Sequence, residues 1–238
     1  MKTYFISGHH SVIAAIKNKT RFKKALYLSK KNTELENLAT KNNLKFSYVE
    51  TSTLNKLLKN SQINHQNVAL EVGELPIKKI IKDDDYLDDF LVLNEVSDPR
   101  NIGAIIRCAL AFSIKNIIIE KNKVNLSSNF IHRSSSGCID LVNIYTVVNI
   151  THALKILKQK DYWSIAFSSH AKENLFSFQW PKKNVFLFGS EGKGLKKKIE
   201  NECDYKLKIP INKEVESLNV SNSVSAVLAI YNLKKLMK

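Results

Sequence analysis

Val185-Phe186-Leu187-Phe188-Gly189-Ser190-Glu191-Gly192-Lys193-Gly194-Leu195 reads as a buried strand running directly into a glycine-rich loop. Four consecutive apolar residues suit a strand covered on both faces, as in a parallel sheet, better than a strand with one wet side. The glycines run GxxGxG, so the loop meets neither the GxxxxGK[ST] nor the GxGxxG spacing, which disfavours the ordinary nucleotide folds. A loop with three glycines can still wrap a flat, adenine-sized ligand with its own N–H and C=O groups.

The same rhythm extends in both directions from this stretch. Phe90–Leu93, Ile117–Ile119, Leu141–Tyr145, Ser164–Phe167 and Tyr205–Ile209 read as further strands of one sheet. Upstream, strands at Ala25–Leu28, Phe46–Val49 and Val68–Glu71 alternate with helices at Ser11–Ile16, Glu34–Lys41 and Leu54–Leu58, as in a small α/β domain. Between the blocks lies a run from Pro76 through Asp83-Asp84-Asp85 to Asp88-Asp89, self-repelling and therefore linker-like. The expected organisation is an α/β domain over 1–75, an acidic linker over 76–88 and a second α/β domain over 89–238.

Charge follows the same division. The chain has 238 residues, with 37 Lys+Arg against 22 Asp+Glu, a net charge of +15. Residues 1–75 carry 12 basic and 5 acidic groups, 76–90 carry 3 and 5, and 91–238 carry 22 and 12. A surplus of that size points to a polyanionic partner. Nothing resembles a signal peptide and no apolar run approaches the ~20 residues needed to span a bilayer. Cys108, Cys138 and Cys203 stand apart, which suggests neither a disulfide framework nor a zinc site. The expectation is a cytoplasmic, reduced protein with no metal and no membrane attachment.

Five of the seven glycines (Gly103, Gly137, Gly189, Gly192 and Gly194) lie in the second block, where ligands of open α/β sheets gather beyond the strand ends. After the strand ending at Leu93, the segment Ser97-Asp98-Pro99-Arg100-Asn101-Ile102-Gly103 opens a helix, with Asn101 as its expected cap. Ile102, Ile105, Ile106 and Ala109 form the apolar stripe. Arg100, Gly103 and Arg107 then share a face on which two guanidiniums flank a gap wide enough for a phosphate or sugar, or else form a solvated face with a packing glycine. Near the C-terminus, Glu216-Ser217-Leu218-Asn219-Val220-Ser221 opens a last helix with Val220, Val224, Val227, Leu228 and Tyr231 on its apolar side, and its short polar residues suit caps.

Taken in order, SDPRNIGAIIRCA, FGSEGKGL and IPINKEVESLNVSNS resemble the three motifs of the SpoU/TrmH branch of the SPOUT superfamily of RNA ribose 2′-O-methyltransferases. Tyr4 to about residue 75 resembles, more loosely, the N-terminal substrate-binding domain of enzymes that modify a guanosine of large-subunit ribosomal RNA. The resemblance implies a C-terminal domain with a trefoil knot, a homodimer with active sites at its interface, S-adenosylmethionine as cofactor, and an RNA substrate, ribosomal ahead of transfer RNA. By position it places catalytic roles on Arg107, Asn101, Glu191, Ser217 and Asn219, and cofactor contacts on Gly189, Ile209 and Leu218. Two departures stand out: Ser113 replaces a glycine usual after the first motif's helix, and Asn222-Ser223 replace small apolar residues after the third.

Because arginine stays protonated in proteins, the expected role of Arg107 is to hold a phosphate or the emerging alkoxide, with Asn101 and Ser217 orienting the ribose. Tyr4, Phe5, Phe22, Tyr27, Phe46 and Tyr48 are candidates for stacking on bases, with core packing expected for at least half of them. His9 and His10, beside Gly8, are candidate RNA contacts or plain turn residues. Competing classes are a transfer-RNA ribose methyltransferase, a base methyltransferase of the wider superfamily, and a non-catalytic RNA-binding ribosome-assembly factor, which would have no reason to bind the methyl donor.

Overall fold

The structure, a computed structural model, describes residues 2–59, 64–80 and 84–237. In chain order its elements are β1 (Thr3–Ser7), α1 (His9–Lys17), β2 (Lys23–Leu28), α2 (Thr33–Lys41), β3 (Phe46–Tyr48), α3 (Thr51–Leu58), β4 (Val68–Gly73), β5 (Ile77–Lys78), β6 (Phe90–Leu93), α4 (Pro99–Ala111), β7 (Asn116–Glu120) and α5 (Asn129–Ser134). A short 3-10 turn (Cys138–Asp140) precedes β8 (Asn143–Val147), α6 (Ile150–Lys158), β9 (Trp163–Phe167), β10 (Glu173–Asn174), β11 (Asn184–Phe188), α7 (Lys197–Glu202), β12 (Tyr205–Lys208) and α8 (Val220–Leu236). They fall into two compact units. One comprises Met1–Pro76 with Asn125–Leu141, the other Ile77–Val124 with Val142–Lys238.

In the first unit β4 is central, antiparallel to β1 on one side and to β2 on the other, with β3 parallel to β2 at the edge. Every residue of β4 is buried, because α1 and α2 cover one face through Ile6, Val12, Ile16, Leu35 and Leu70 while α3 covers the other through Leu54 and Leu58. Asn32 caps α2 by accepting from the Leu35 N–H, and Glu34 and Glu36 in its first turn complement the helix dipole. Strand β1 has no counterpart among the strands expected from sequence.

Segment 125–141, sequence-continuous with the second block, folds with the first unit. Its anchor is Arg21, whose Nη1 donates to both carboxylate oxygens of Asp140 at 2.8 and 2.7 Å, with both side chains fully buried. Arg21 Nε donates to the Gly73 carbonyl and its other terminal nitrogen to the Tyr4 hydroxyl. Gly137, at φ +82°, lies so close to α1 that a Cβ there would stand 2.7 Å from the His10 carbonyl oxygen. This glycine serves close packing, not a ligand beyond a strand end.

The second unit is built on an eight-stranded sheet ordered β10-β12-β9-β11-β6-β7-β8-β5, parallel throughout. All residues of β6 and β11 are buried, as continuous apolar strands in the middle of such a sheet require. Parts of the stretch expected as linker belong to this unit: Ile77–Lys78 pairs with β8, and Tyr86 packs edge-on against Phe90 at 5.2 Å. Residues 81–83, and so Asp83 of the acidic run, lie outside the described residues. Asp89 does not repel its neighbours in solvent. It is buried, accepts from the Asn184 N–H at 2.7 Å and the Tyr231 hydroxyl at 2.6 Å, and ties α8 to the sheet. No helix among the described residues is long and apolar enough to cross a membrane.

Ser113 explains why glycine is favoured at its position. α4 ends at Ala111 with Phe112 as its C-cap, Ile114 N–H returns to the Ala109 carbonyl at 2.8 Å, and Ser113 between Phe112 and Ile114 takes φ +63°. That left-handed conformation costs a residue with a Cβ about 1 kcal/mol relative to glycine. Ser113→Gly is expected to raise the stability of the chain by about 1 kcal/mol, read from denaturant melts.

A second expectation concerns His132, fully buried against Tyr4 and within 3.8 Å of Asp140. Burial, reinforced by the Arg21 charge, holds its pKa down to about 3. The unfolded chain therefore takes up a proton below pH ~6.5 that the folded chain refuses, and stability falls with pH between ~6.5 and 3, by up to about 1.4 kcal/mol per pH unit from this residue. Urea melts between pH 6.5 and 4.5 should show a steeper loss for the wild type than for His132→Gln.

Candidate functional site

The carboxyl ends of β6 and β11 lie side by side in register, and from them leave the two loops that open α4 and α7. After β11 the chain turns at Gly189, where a Cβ would fall 1.9 Å from the Gly194 carbonyl carbon and 2.1 Å from the Leu195 nitrogen, so only glycine is tolerated. Ser190 and Gly194 exchange both backbone hydrogen bonds, at 3.1 and 2.9 Å, and Gly192 and Gly194 take φ +81° and +65°. The result is a closed loop whose main chain faces a cavity of about 280 Å³. Its lining includes Phe188, Gly189, Glu191, Ile209, Ser217 and Leu218, and so joins the second and third motifs.

The first motif joins through side chains. Asp98, not Asn101, caps α4: its carboxylate accepts from the Arg100 N–H at 2.7 Å, and Pro99 occupies the first helical position. Relieved of capping, Asn101 donates to Glu191 Oε1 at 2.8 Å. Asn219 donates to the same oxygen and to Asn101 Oδ1 at 3.2 Å, while its own Oδ1 caps α8 by accepting from the Ser221 N–H at 2.9 Å. Asn219 is thus both cap and cross-link, and one carboxylate is oriented by amides from two distant segments. Ser223 lines the cavity, so that departure from the family pattern touches the site itself.

Other residues stand elsewhere. Arg107 is exposed on α4 and does not line the cavity. Arg100 is turned to Asp98, with Nη2 3.1 Å from Oδ2, which lowers the Asp98 pKa and raises that of Arg100. Gly103 is buried with the apolar stripe, so the gap expected between two guanidiniums is not open. Among the lysines after the loop, Lys196 pairs with Glu95 at 2.7 Å, depressing the Glu95 carboxyl and raising the ammonium.

The sequence reading missed Asn94, which closes the base of the glycine loop. Its N–H donates to the Phe188 carbonyl at 2.9 Å, before the loop, and its Oδ1 accepts from the Lys196 N–H at 3.1 Å, after it. Its remaining amide donates to Glu120 at 3.0 Å. A polar residue immediately after a fully apolar strand was the available signal, since burial there demands partners. Ser168, Ser169 and His170, following β9, also line the cavity and carried no motif to mark them.

An open parallel sheet with a main-chain loop and two helix starts gathered at its carboxyl edge defines an α/β domain made to hold a small ligand there. Comparison with known proteins specifies the class. Residues 89–229 match the SpoU rRNA Methylase family, and residues 5–78 match the RNA 2′-O ribose methyltransferase substrate binding family. The chain belongs to the SpoU rRNA methylase family. It is 32% identical over 220 residues to an "Uncharacterized tRNA/rRNA methyltransferase" of Borreliella burgdorferi, covering 87% of this chain and 94% of that one. It is 27% identical to the 23S rRNA (guanosine-2′-O-)-methyltransferase RlmB of Nitrosomonas europaea, covering 94% and 89%. Its fold is that of the SpoU methyltransferase AviRb from Streptomyces viridochromogenes, solved in complex with AdoMet, with a TM-score of 0.83 and 18% identity over 98% of this chain and 91% of the other.

Gly189→Ala is expected to force the loop off its stem, because its Cβ would meet backbone that cannot swing away. Ligand binding in this cavity should fall at least about a hundredfold, read by calorimetry with S-adenosylmethionine, while the far-ultraviolet circular dichroism of the rest of the chain stays intact.

Proposed function

We propose that this chain methylates a ribose 2′-hydroxyl of RNA, a guanosine of 23S ribosomal RNA, with S-adenosylmethionine as methyl donor. The observation that carries the reading is the ring of Asn101, Glu191 and Asn219, which locks three distant motifs around the glycine-loop cavity. The cavity suits the donor: at about 280 Å³ it sits just below the ~300–1,000 Å³ usual for small-ligand sites, and it is lined by Gly189, which carries no side chain, beside the apolar Ile209 and Leu218. When bound, S-adenosylmethionine would supply an electrophilic methyl group on a sulfonium.

In this reading Gly189, Ile209 and Leu218 hold the cofactor, Asn101 and Ser217 orient the ribose, and Glu191 and Asn219 keep the three motifs in register. Arg107 holds the target phosphate or the oxygen as it gains charge, through its fork of N–H donors. Arg107 is not among the residues lining the cavity, and a homodimer in which a second copy completes each site would account for that. The trefoil knot and a cytoplasmic location belong to the same proposal, as does a substrate-binding domain built on 1–75 that takes in 125–141, with the methyltransferase domain built on the rest of 89–238. The relative in Nitrosomonas europaea supports 23S RNA as target; the Borreliella burgdorferi name keeps transfer RNA as a second reading.

The test is mass spectrometry of ribose methylation in ribosomal and transfer RNA from a deletion strain, with labelled methyl transfer by the purified chain. One 2′-O-methylguanosine should vanish from 23S RNA. Arg107→Lys should lower kcat at least about a hundredfold with cofactor affinity unchanged, because an ammonium cannot reproduce a planar two-pronged donor. Turnover near wild type would remove Arg107 from the chemistry, and failure to bind the cofactor would favour the non-catalytic RNA-binding class.

A further inference from the structure

We propose that the connection from α1 to β2 with the residues flanking it, 17–24, is an RNA-contact element of the first unit, with the Phe22 ring stacking on an unpaired base and Lys17 and Lys19 meeting neighbouring phosphates. This rests on the reading above that RNA is the substrate, and adds where the first unit touches it.

The octad Lys17-Asn18-Lys19-Thr20-Arg21-Phe22-Lys23-Lys24 holds five cations and no carboxylate. The structure sorts those cations. Arg21 is buried against Asp140, Lys23 Nζ donates to the Asn18 carbonyl at 2.7 Å, and Lys24 pairs with Glu71 at 2.9 Å. Lys17 and Lys19 are exposed. Phe22 follows Arg21, the most deeply buried cation among the described residues, and yet leaves 44% of its surface to solvent.

The loop is also rigid by construction. Asn18 Nδ2 donates to Asp140 at 3.1 Å, and Asn18 Oδ1 accepts from both the N–H and the hydroxyl of Thr20, at 3.1 and 2.8 Å. The Phe22 carbonyl accepts from the Gly73 N–H at 2.9 Å. An aromatic ring held outward on a pinned backbone, with two ammonium groups close in sequence, loses little freedom on meeting a partner. Stacking is tolerant of base identity and lysine–phosphate contact is tolerant of sequence, which matches a structured RNA approached through an unpaired base. The acidic residue of the adjoining strand is Glu71, already engaged by Lys24 and Thr3, and the exposed Glu74 follows that strand. The exposed pair Phe46 and Tyr48 is a poorer platform, because the Tyr48 hydroxyl donates to the Glu36 carboxylate at 2.5 Å and so keeps a negative charge beside it.

The experiment is filter binding of the full-length chain to an unmodified 23S rRNA transcript across a salt series, with calorimetric titration of S-adenosylmethionine alongside. Phe22→Leu should weaken RNA binding about tenfold while Phe22→Tyr stays near wild type. The pair Lys17→Gln and Lys19→Gln should flatten the log–log salt slope by about 1.5. Cofactor affinity and melting temperature should not move. Equal affinity for Phe22→Leu and wild type, equal loss for the leucine and tyrosine variants, or an unchanged slope for the lysine pair would each overturn the proposal. If the wild type binds and methylates RNA while these variants behave normally, this inference alone fails; if the wild type binds no RNA, the substrate reading falls and takes it along.

Discussion

A single absent side chain sets the geometry of the candidate site. Because Gly189 carries no Cβ, the chain can double back until Gly194 and Leu195 lie against it, and the loop can close on itself through Ser190 and Gly194. Asn94 then fixes both stems from the neighbouring strand exit. Once that loop is in place, Glu191 is delivered to the point where Asn101, on the first turn of α4, and Asn219, at the cap of α8, arrive. The three motifs are therefore coupled by contact: the loop sets the carboxylate, and the carboxylate gathers the amides.

Polar capping and site assembly share residues in this protein, with a division of labour visible only in three dimensions. Asp98 takes the cap of α4 and leaves Asn101 available, whereas at α8 Asn219 uses its carbonyl oxygen for the helix and its amide for the site. A primary amide has a donor and an acceptor on opposite sides, so one side chain can satisfy a helix terminus and still reach out. A carboxylate at 219, accepting only, could cap equally well but would face Glu191 with like charge.

How much was legible in the sequence follows from which forces leave periodic or compositional traces. Continuous apolar runs such as Phe90–Leu93 and Val185–Phe188 marked the central strands, and the stripes of Ile102, Ile105, Ile106 and Ala109 and of Val220, Val224, Val227, Leu228 and Tyr231 marked the buried faces of two helices. Long-range polar partnerships leave no such trace. Nothing in the sequence couples Arg21 to Asp140, 119 positions away, or assigns Gly137 to α1 rather than to a ligand. The cap of α4 was misread for a local reason, since Asp98 and Asn101 are both good caps and only the backbone decides between them. Arg100 and Gly103 follow the second of the two readings, a solvated face with a packing glycine, and spacing could not choose between them because a helical face says nothing of what packs against it.

The excursion of residues 125–141 has a consequence for modularity. The N-terminal unit is not a bead that can be unthreaded from the chain: it is completed by a stretch that the polypeptide reaches only after entering the other unit. Severing the gene within the acidic run would strand a guanidinium in a dry interior with its counter-ion left on the discarded piece, an uncompensated charge costing about 3–5 kcal/mol. A module exchanged at that run would have to bring residues 125–141 along with it to keep the two charges of this chain together.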